Sequence, residues 1–238
     1  MEAHIMGDAE NYVSGHGPSK LNDNSSVEEV FDKHAERYDS WYDRNLPILR
    51  AEKDCIKLLA PHGLVLDIGV GTARLTYDLS VRLVGVDPSF GMLRKAVKRN
   101  ILAVQALGEE LPFRDNMFDT VLTIVTICFA DNPVALLSEA KRVLKPGGRL
   151  ITCFVPRESP WGRHYWWLGI SGRSVFYRKA RFYSVSEVEE LIINAGLRIC
   201  DYCSTLSYSP IIPPIYDAPI RSRDPSCGFI CICAEKII

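Results

Sequence analysis

Short apolar runs alternate with helical segments from Gly63 onward, and this alternation restricts the fold more than any other feature of the sequence. It predicts an α/β fold with a doubly wound, mostly parallel, seven-stranded sheet, because crossover helices connect parallel strands and cover both sheet faces. The predicted strands lie near 64–68, 83–87, 102–106, 118–124, 148–155, 197–205 and 228–235. The predicted helices between them lie near 72–80, 89–99 and 132–144.

The segments that flank this pattern have their own signals. Residues 1–24 lack apolar periodicity and are rich in glycine and small polar residues, so we predict a flexible N-terminal arm before a single domain over 25–238. Two overlapping S-x-x-E capping boxes, starting at Ser25 and Ser26, predict a helix through Tyr38. A second helix is predicted over 46–59, and a third from Ser184 to the Ala195-Gly196 stop. Lys145-Pro146-Gly147-Gly148 predicts a turn before the fifth strand.

Charge and composition exclude several classes of protein. The formal net charge is −1, which argues against a general nucleic-acid binder because such proteins carry a strong basic excess. No apolar stretch approaches the roughly 20 residues of a membrane-spanning helix, and the first residues are polar, so a cytoplasmic protein with no membrane partner is expected. Eight cysteines are too few for a disulfide scaffold and are expected to remain thiols in a reducing compartment.

A glycine-rich turn follows the first predicted strand. The strand ends in Asp67, and Gly69 and Gly71 follow where the backbone must turn sharply and admit a ligand. The dinucleotide fingerprint G-x-G-x-x-G would need glycine where this chain has Arg74, which weakens a nicotinamide interpretation. An acid two residues before the first glycine suits a ligand that carries an ammonium group.

The next strand ends in a second carboxylate, Asp87, 20 residues after Asp67. A carboxylate at this place can accept hydrogen bonds from both hydroxyls of a ribose. Both acids lie at the carboxyl edge of neighbouring strands, where open α/β sheets bind ligands. Together they predict an adenosine pocket.

The order of these and later motifs resembles the class I S-adenosylmethionine-dependent methyltransferases, in particular the ubiquinone/menaquinone-biosynthesis-like, methyltransferase type 11 subgroup. The resemblance covers roughly residues 30–205 and implies a Rossmann-like fold and S-adenosyl-L-methionine as cofactor. One departure is Ala73, where the family often has a third glycine. The segments that carry the resemblance are 65–72, 85–89 with Met92, 108–113, 118–119 and 139–148.

The resemblance also implies roles for individual residues. Asp67 and the backbone of Gly69, Val70 and Gly71 would face the methionine part, and Asp87 would bind the ribose. Tyr38 is similar to a family tyrosine near the transferred methyl group. The residues implied at the adenine are Pro88, Ser89, Met92, Gly108 and Glu109, and those beneath the sulfonium are Ile124, Val125 and Thr126. A segment like 174–184 occurs in small prokaryotic methyltransferases of mostly unassigned substrate.

The acceptor is expected between two aromatic-rich lid elements, residues 27–45 and the insertion 156–183 after the fifth strand. The lid residues predicted to contact it are Trp41, Tyr42 and Tyr165. Six basic residues stand against one acid between 157 and 181, which suggests an acidic small molecule held by Arg178 and Arg181, unless they pair with surface acids. Tyr38 and His164 are candidate catalytic residues; for His164, a lid histidine without catalytic role is the alternative.

Four questions remain open at the level of sequence. The acceptor could be a small molecule, an RNA or a protein, and a non-catalytic cofactor-binding module is a further alternative. Neither the acceptor atom nor the oligomeric state follows from the motifs. Five cysteines near the carboxyl end invite a zinc or arsenic hypothesis, but their alternation with apolar residues favours core positions and no metal; they are Cys200, Cys203, Cys227, Cys231 and Cys233.

Overall fold

The computed structural model describes residues 25–237, so the predicted arm lies outside the described residues. The helices are α1 (Val27–Arg44), α2 (Leu46–Leu58), α3 (Phe90–Lys98), α4 (Pro133–Val143), α5 (Pro160–Ile170) and α6 (Val185–Asn194). The strands are β1 (Leu64–Ile68), β2 (Arg82–Asp87), β3 (Leu102–Gln105), β4 (Phe118–Ile124), β5 (Leu144–Phe154), β6 (Arg198–Thr205) and β7 (Phe229–Glu235).

The strands form one seven-stranded sheet in the order β3-β2-β1-β4-β5-β7-β6. Strands β1 to β5 are parallel to one another, and β7 runs antiparallel to both β5 and β6. The order reverses between β1 and β4, and ligands of open α/β sheets bind outside the carboxyl ends of strands at such a switch point. The predicted Rossmann-like methyltransferase fold with its seven strands is confirmed.

Helices cover both faces of the sheet, as continuous apolar strands require. On one face α4 contacts β5 and α6 contacts β6, and Leu137, Val188 and Leu66 belong to one buried cluster. On the other face α2 contacts β6 and β7, and Ile56 and Val65 belong to a second buried cluster. The core therefore lies on both sides of the central strands, and their carboxyl ends remain available for a site.

Helix starts follow the capping signals of the sequence. Ser26, rather than Ser25, caps α1 and forms a reciprocal capping box with Glu29, and the helix continues six residues past Tyr38. Ser184 forms the same box with Glu187 at the start of α6. The insertion contains a helix that was not predicted, α5, although Ser159 as N-cap followed by proline at the first helical position is a start signal.

The predicted helix over residues 72–80 is wrong, because this segment forms successive turns. Ala73 is fully buried and adopts a left-handed backbone conformation, with φ of +59°, which interrupts any helix that begins at residue 72. The Thr76 hydroxyl donates a 2.8 Å hydrogen bond to the Asp67 carboxylate. Residues 72–80 therefore continue the glycine-rich turn after β1 and do not start a new helix.

The fifth strand and its cysteines also differ from expectation. Strand β5 begins at Leu144, four residues before the predicted start, and includes the Lys145-Pro146-Gly147-Gly148 segment that was predicted as a turn. The register of β5 and β7 sets Cys153 opposite Cys231, with a Cα–Cα distance of 4.0 Å, and a disulfide joins them. The expectation that all eight cysteines are thiols is therefore wrong.

The remaining cysteines form no metal site in the described part of the chain. Cys200 and Cys233 have sulfur atoms 3.5 Å apart, and Cys203 is fully buried on β6. Among residues 25–237, no group of three or more histidine, cysteine or acidic side chains is arranged to hold a metal ion. Within the same residues, no helix combines the length and the apolar composition that crossing a membrane requires.

Candidate active site

The glycine-rich turn after β1 carries a buried carboxylate. Asp67 is 2% exposed, and one of its oxygens, Oδ1, is buried without a hydrogen-bond partner among the described residues, whereas Oδ2 accepts from Thr76. Burial raises the pKa of Asp67 to about 7, and the charge of Asp87 adds to the increase. An unpartnered acceptor at this depth is costly, so a cationic or hydrogen-bond-donating ligand group would complete it.

The two glycines of the turn serve different purposes. Gly69 has φ of +72°, and a Cβ there would lie 2.3 Å from the Thr126 hydroxyl oxygen, so any side chain is excluded. Gly71 also has positive φ, but a Cβ there would meet nothing within 4 Å. The open space over Gly71 lets a ligand approach the backbone closely, as a cradling turn requires.

Asp87, at the end of β2, organises the loops on both sides of it. Its Oδ2 accepts from the Gly71 amide and its Oδ1 from the Ser89 amide, each at 2.9 Å. Burial raises its pKa to about 6, against the effect of these two hydrogen bonds. A carboxylate oxygen can accept two hydrogen bonds, and each Asp87 oxygen accepts one of these two. Both oxygens can therefore accept a further hydrogen bond from donors such as ribose hydroxyls.

The loops after β2 and β3 form the part of the site where the adenine is predicted to lie. Ser89 caps α3 through Met92 and donates a 2.6 Å hydrogen bond to Asp32 of α1, which joins the first helix to the site. A Cβ at Gly108 would lie 2.5 Å from Leu136, so only glycine lets this loop approach α4. The loops thereby form a slot whose lining includes Pro88, Ser89, Met92, Gly108 and Glu109.

The end of β4 is strained where the two halves of the site meet. Val125 has φ of +53°, which is a rare conformation for a β-branched residue. Its amide donates to the Cys153 carbonyl at 2.7 Å, and the Thr126 hydroxyl donates to the Ile68 carbonyl at 2.9 Å, so both neighbouring strands hold the conformation. Backbone strain of this kind persists mainly at functional sites.

One cavity of about 690 Å³ connects these elements, within the range of small-molecule sites. One end is formed by the glycine-rich turn after β1, by Asp87 and by the slot between the loops after β2 and β3. The other end, here called the acceptor chamber, is lined by Tyr38, Trp41, Tyr42, Glu52, Tyr165, Phe176 and Tyr177. Helix α1 and the α5 insertion contribute most of the chamber, and the rings of Tyr165 and Tyr177 stack with centroids 4.2 Å apart.

Glu52 of α2 brings a carboxylate into this aromatic chamber. It is 6% exposed and accepts a 3.1 Å hydrogen bond from the Tyr42 hydroxyl. Burial raises the pKa of Glu52 to about 8, although the Tyr42 hydrogen bond acts in the opposite direction. The chamber therefore holds an acid whose protonation changes near neutral pH.

Comparisons with known proteins agree with this geometry. Residues 66–152 match the family model described as a methyltransferase domain. An uncharacterised protein of Methanocaldococcus jannaschii is 38% identical over 208 residues, 87% of this chain and 99% of that protein. A crystal structure from Thermotoga maritima, described as a SAM-dependent methyltransferase and possible histamine N-methyltransferase, is 33% identical with a TM-score of 0.82, covering 88% of this chain and 99% of that one.

The chain belongs to the S-adenosylmethionine-dependent methyltransferases. The malonyl-[acyl-carrier protein] O-methyltransferase of Hahella chejuensis is a further relative, 33% identical over 144 residues, or 56% of this chain and half of that protein. The predicted class I family and its cofactor, S-adenosyl-L-methionine, are confirmed.

The residues of the methyltransferase fit this cofactor. The α-ammonium group of S-adenosyl-L-methionine would give the buried, unpartnered Oδ1 of Asp67 the hydrogen-bond donor that it lacks. The open space over Gly71 and the remaining acceptor capacity of Asp87 suit the rest of the molecule.

The structure brings most of the predicted site residues of the methyltransferase together. Asp67 and Val70 line a small cavity that shares Tyr38, Gly69 and Ile124 with the main one, and every other predicted cofactor residue lines the main cavity. Trp41, Tyr42 and Tyr165 lie in the acceptor chamber, as expected for substrate contacts.

Three predicted residues lie outside the cavity lining. Arg178 and Arg181 are exposed, and the Arg181 guanidinium lies over the Tyr183 ring at 5.1 Å. His164 faces Trp167 on α5, and burial lowers its pKa. The cavity lining therefore gives no support to the predicted roles of these three residues.

Sequence reasoning missed Glu52, Phe176 and Tyr177 as site residues. Glu52 has a detectable signal, because it is an acid at a position where the helical period of α2 calls for an apolar residue, between Ile48 and Ile56. Phe176 and Tyr177 had no such signal, since an aromatic residue in an insertion is equally consistent with packing.

Proposed function

We propose that this methyltransferase transfers a methyl group from S-adenosyl-L-methionine to a small molecule bound in the acceptor chamber. The observation that carries the proposal is a cavity that joins Asp87 and the Gly69–Gly71 turn to the acceptor chamber, with Asp67 in a smaller cavity that shares Tyr38, Gly69 and Ile124 with it. A cavity of this size, lined by α1 and the α5 insertion, suits a small acceptor better than a long polymer. The near-neutral charge of the chain also disfavours RNA.

Within this proposal the residues divide into two groups. Asp67 binds the ammonium group of the cofactor, the Gly69–Gly71 backbone follows its methionine part, and Asp87 binds the ribose hydroxyls. The adenine lies among Pro88, Ser89, Met92, Gly108 and Glu109. When bound, the cofactor supplies an electrophilic methyl group on a positively charged sulfur.

The protein's contribution to the transfer is mainly alignment and exclusion of water. Val125 and Ile124 line the cavity, and the amide of Val125 donates to the Cys153 carbonyl of β5. Tyr38 lines both the main and the small cavity, which supports the proposal that it lies near the transferred methyl group. We assign Tyr38 to positioning, since burial raises its pKa far above neutrality and leaves the hydroxyl protonated.

The charge of the acceptor follows from the chamber lining. An acidic acceptor was expected from Arg178 and Arg181, but both lie outside the lining, and the buried charged group of the chamber is Glu52. The arginines that do line the cavity, Arg37, Arg44 and Arg173, are exposed. The lining therefore favours a neutral or cationic acceptor over an acid.

Transfer of a labelled methyl group from S-adenosylmethionine to a fractionated metabolite extract tests the proposal. We expect a labelled product of low molecular mass, identified by mass spectrometry. The Asp87→Asn variant should weaken S-adenosylhomocysteine binding about tenfold to 100-fold, because a hydrogen bond to a charged group contributes about 1.5–3 kcal/mol. Asp115→Asn, at an exposed ion pair with Arg142, is the matched control.

Two outcomes would contradict the proposal. Label that appears in RNA or protein instead of small molecules would assign a macromolecular substrate. Absence of S-adenosylhomocysteine binding in calorimetry, with a folded protein, would indicate a non-catalytic module.

A further inference from the structure

Glu52 is a buried acid in a place where helix periodicity calls for an apolar side chain. It lies on the buried side of α2, together with Leu49, Cys55 and Ile56, and faces the cavity. Its neighbour Lys53 is directed elsewhere and pairs with Asp78 at 2.9 Å. The α2 helix therefore places the carboxylate of Glu52 in the chamber, whereas the ammonium group of the adjacent Lys53 pairs with Asp78 instead.

The environment of Glu52 is aromatic and lacks a compensating positive charge. Its pKa is raised by burial and lowered by Tyr42, with no contribution from a cationic side chain among the described residues. The groups whose own pKa its charge raises are Tyr38, Tyr42, Cys55, Tyr165, Tyr177 and Tyr208. A carboxylate at such a site is costly unless a ligand neutralises it.

Tyrosine and tryptophan rings next to a carboxylate form a recognisable site for one ligand class. The faces of aromatic rings attract cations, and aromatic cages bind ammonium groups. Around Glu52 the rings of Tyr38 and Tyr42 pack edge to face at 5.8 Å, and Trp41 packs on Tyr42 at 5.1 Å. An organic ammonium ion would give Glu52 the positive charge that no side chain within residues 25–237 contributes to its pKa.

We propose that the methyl acceptor is a small organic amine, which enters the chamber as an ammonium ion and is bound by the carboxylate of Glu52. This inference rests on the proposed function, since it names the substrate class of that same chamber. It also assigns Glu52 as a catalytic residue that contacts the acceptor.

The chemistry of nitrogen methylation gives Glu52 a second task. The ammonium nitrogen has no lone pair, so one proton must first pass from nitrogen to the Glu52 carboxylate. The free amine then forms the nitrogen–carbon bond with its lone pair, while the carbon–sulfur bond breaks and its electron pair stays on sulfur. The positive charge moves from sulfur to the methylated nitrogen, and Glu52 returns its proton to solvent when the product leaves.

Proton release on binding separates this proposal from a structural role of Glu52. At pH 7 most of the Glu52 carboxyl is protonated, so an ammonium ion that requires the carboxylate should expel close to one proton on binding, and almost none above pH 9. The tyrosines and cysteine around Glu52 stay protonated in this range. Asp67 and Asp87 also titrate, but they are common to the wild type and to variants at Glu52.

The experiment measures binding by calorimetry in buffers of different ionisation enthalpy, with the protein saturated in S-adenosylhomocysteine. The probes are 2-phenylethylamine, cyclohexylamine and 1,4-diaminobutane, each compared with the alcohol and the carboxylate of the same skeleton. We expect at least one amine to bind and release a proton at pH 7, and to be methylated when S-adenosylmethionine is supplied. The alcohols and carboxylates should bind weakly and release none.

Two variants test the assignment. Glu52→Gln should abolish proton release and weaken amine binding about 30-fold or more, while S-adenosylhomocysteine binding is kept as the check on folding. Tyr42→Phe removes the hydrogen bond to Glu52, so the pH midpoint of amine binding should move upward. Glu36→Gln, at an exposed ion pair with Lys95, is the matched control and should behave as wild type.

The results distinguish the failure of this inference from the failure of the proposed function. A methylated extract product without a basic nitrogen, or amine methylation that Glu52→Gln leaves unchanged, would overturn the amine assignment and leave small-molecule methyl transfer intact. Label in RNA or protein would overturn both.

Discussion

The replacement of Asp67 by asparagine should stabilise the protein without cofactor and weaken its binding of the cofactor. Asp67 is buried, one of its oxygens lacks a partner, and burial raises its pKa from 3.8 to about 7. A carboxylate that is ionised here in the free protein is costly, because no described cation or second donor compensates it. Asparagine avoids this cost but cannot pair with the ammonium group of the cofactor.

The magnitude follows from proton linkage. Between about pH 4 and pH 7 the folded protein keeps a proton on Asp67 that the unfolded chain has released, so stability falls as pH rises and the loss is complete above pH 7. Each unit of pKa difference corresponds to about 1.4 kcal/mol, which gives about 4 kcal/mol in total. Between pH 5 and pH 8.5 the part still to be lost is roughly 2–3 kcal/mol.

Urea denaturation at pH 5 and pH 8.5 measures this difference. We expect the stability advantage of Asp67→Asn over wild type to grow by roughly 2–3 kcal/mol between the two pH values, or about 1 M in the urea midpoint. The other buried acids, Asp87 and Glu52, are present in both proteins and largely cancel in the comparison. S-adenosylhomocysteine should stabilise the wild type much more than the variant.

The reasoning is refuted if the two proteins lose stability in parallel over this pH range, because Asp67 would then have an ordinary pKa in the folded state. It is equally refuted if Asp67→Asn binds S-adenosylhomocysteine as tightly as the wild type. A loss of stability at both pH values would instead indicate that the Thr76 hydrogen bond is the main role of Asp67.

Other substitutions give further expected outcomes. Gly69→Ala should cost about 2 kcal/mol or more and abolish cofactor binding, because its Cβ would meet Thr126 in a left-handed conformation; thermal unfolding and calorimetry measure both effects. His164→Gln should leave the pH profile of kcat unchanged, because the imidazole lies outside the cavity lining; a lost acidic limb would contradict this. Arg99→Met should lower the free energy of unfolding by about 2 kcal/mol, because Asp39 would lose its 2.7 Å ion pair within the α1–α3 contact and keep Lys95 at 3.7 Å; a change below about 0.5 kcal/mol would contradict it.

The cofactor end of the site could be predicted from the sequence because each of its parts is local. Asp67, the two glycines and Asp87 follow the ends of strands, and the parallel sheet aligns those ends at one edge without further information. The helix predicted over 72–80 failed for an equally local reason. Nothing in the residue type of Ala73 signals the left-handed conformation that the structure gives it, since alanine is the strongest helix former.

The disulfide shows a limit of a different kind. The strands that contain residues 200 and 231 are neighbours, as the register of β6 and β7 shows. The pairing of Cys153 with Cys231 depends on which strand lies on the other side of β7 and on a register that brings the two residues opposite each other. A shift of one residue would send the two side chains to opposite faces, so composition alone could not predict the bond.

The acceptor chamber is assembled from residues distant in sequence. For this reason, counting the charges of one segment is a poor guide to the charge that the acceptor meets. Six basic residues in the insertion suggested an acidic acceptor, yet exposed arginines can pair on the surface, as Arg157 does with Glu187. Burial, and not number, decides which charge a ligand meets, because an exposed charge is screened while a buried one is not. Glu52, one acid on the apolar side of α2, therefore affects a ligand in the chamber more than the six cations of the insertion. The sequence already distinguishes Glu52, because it interrupts the apolar positions of the helical period.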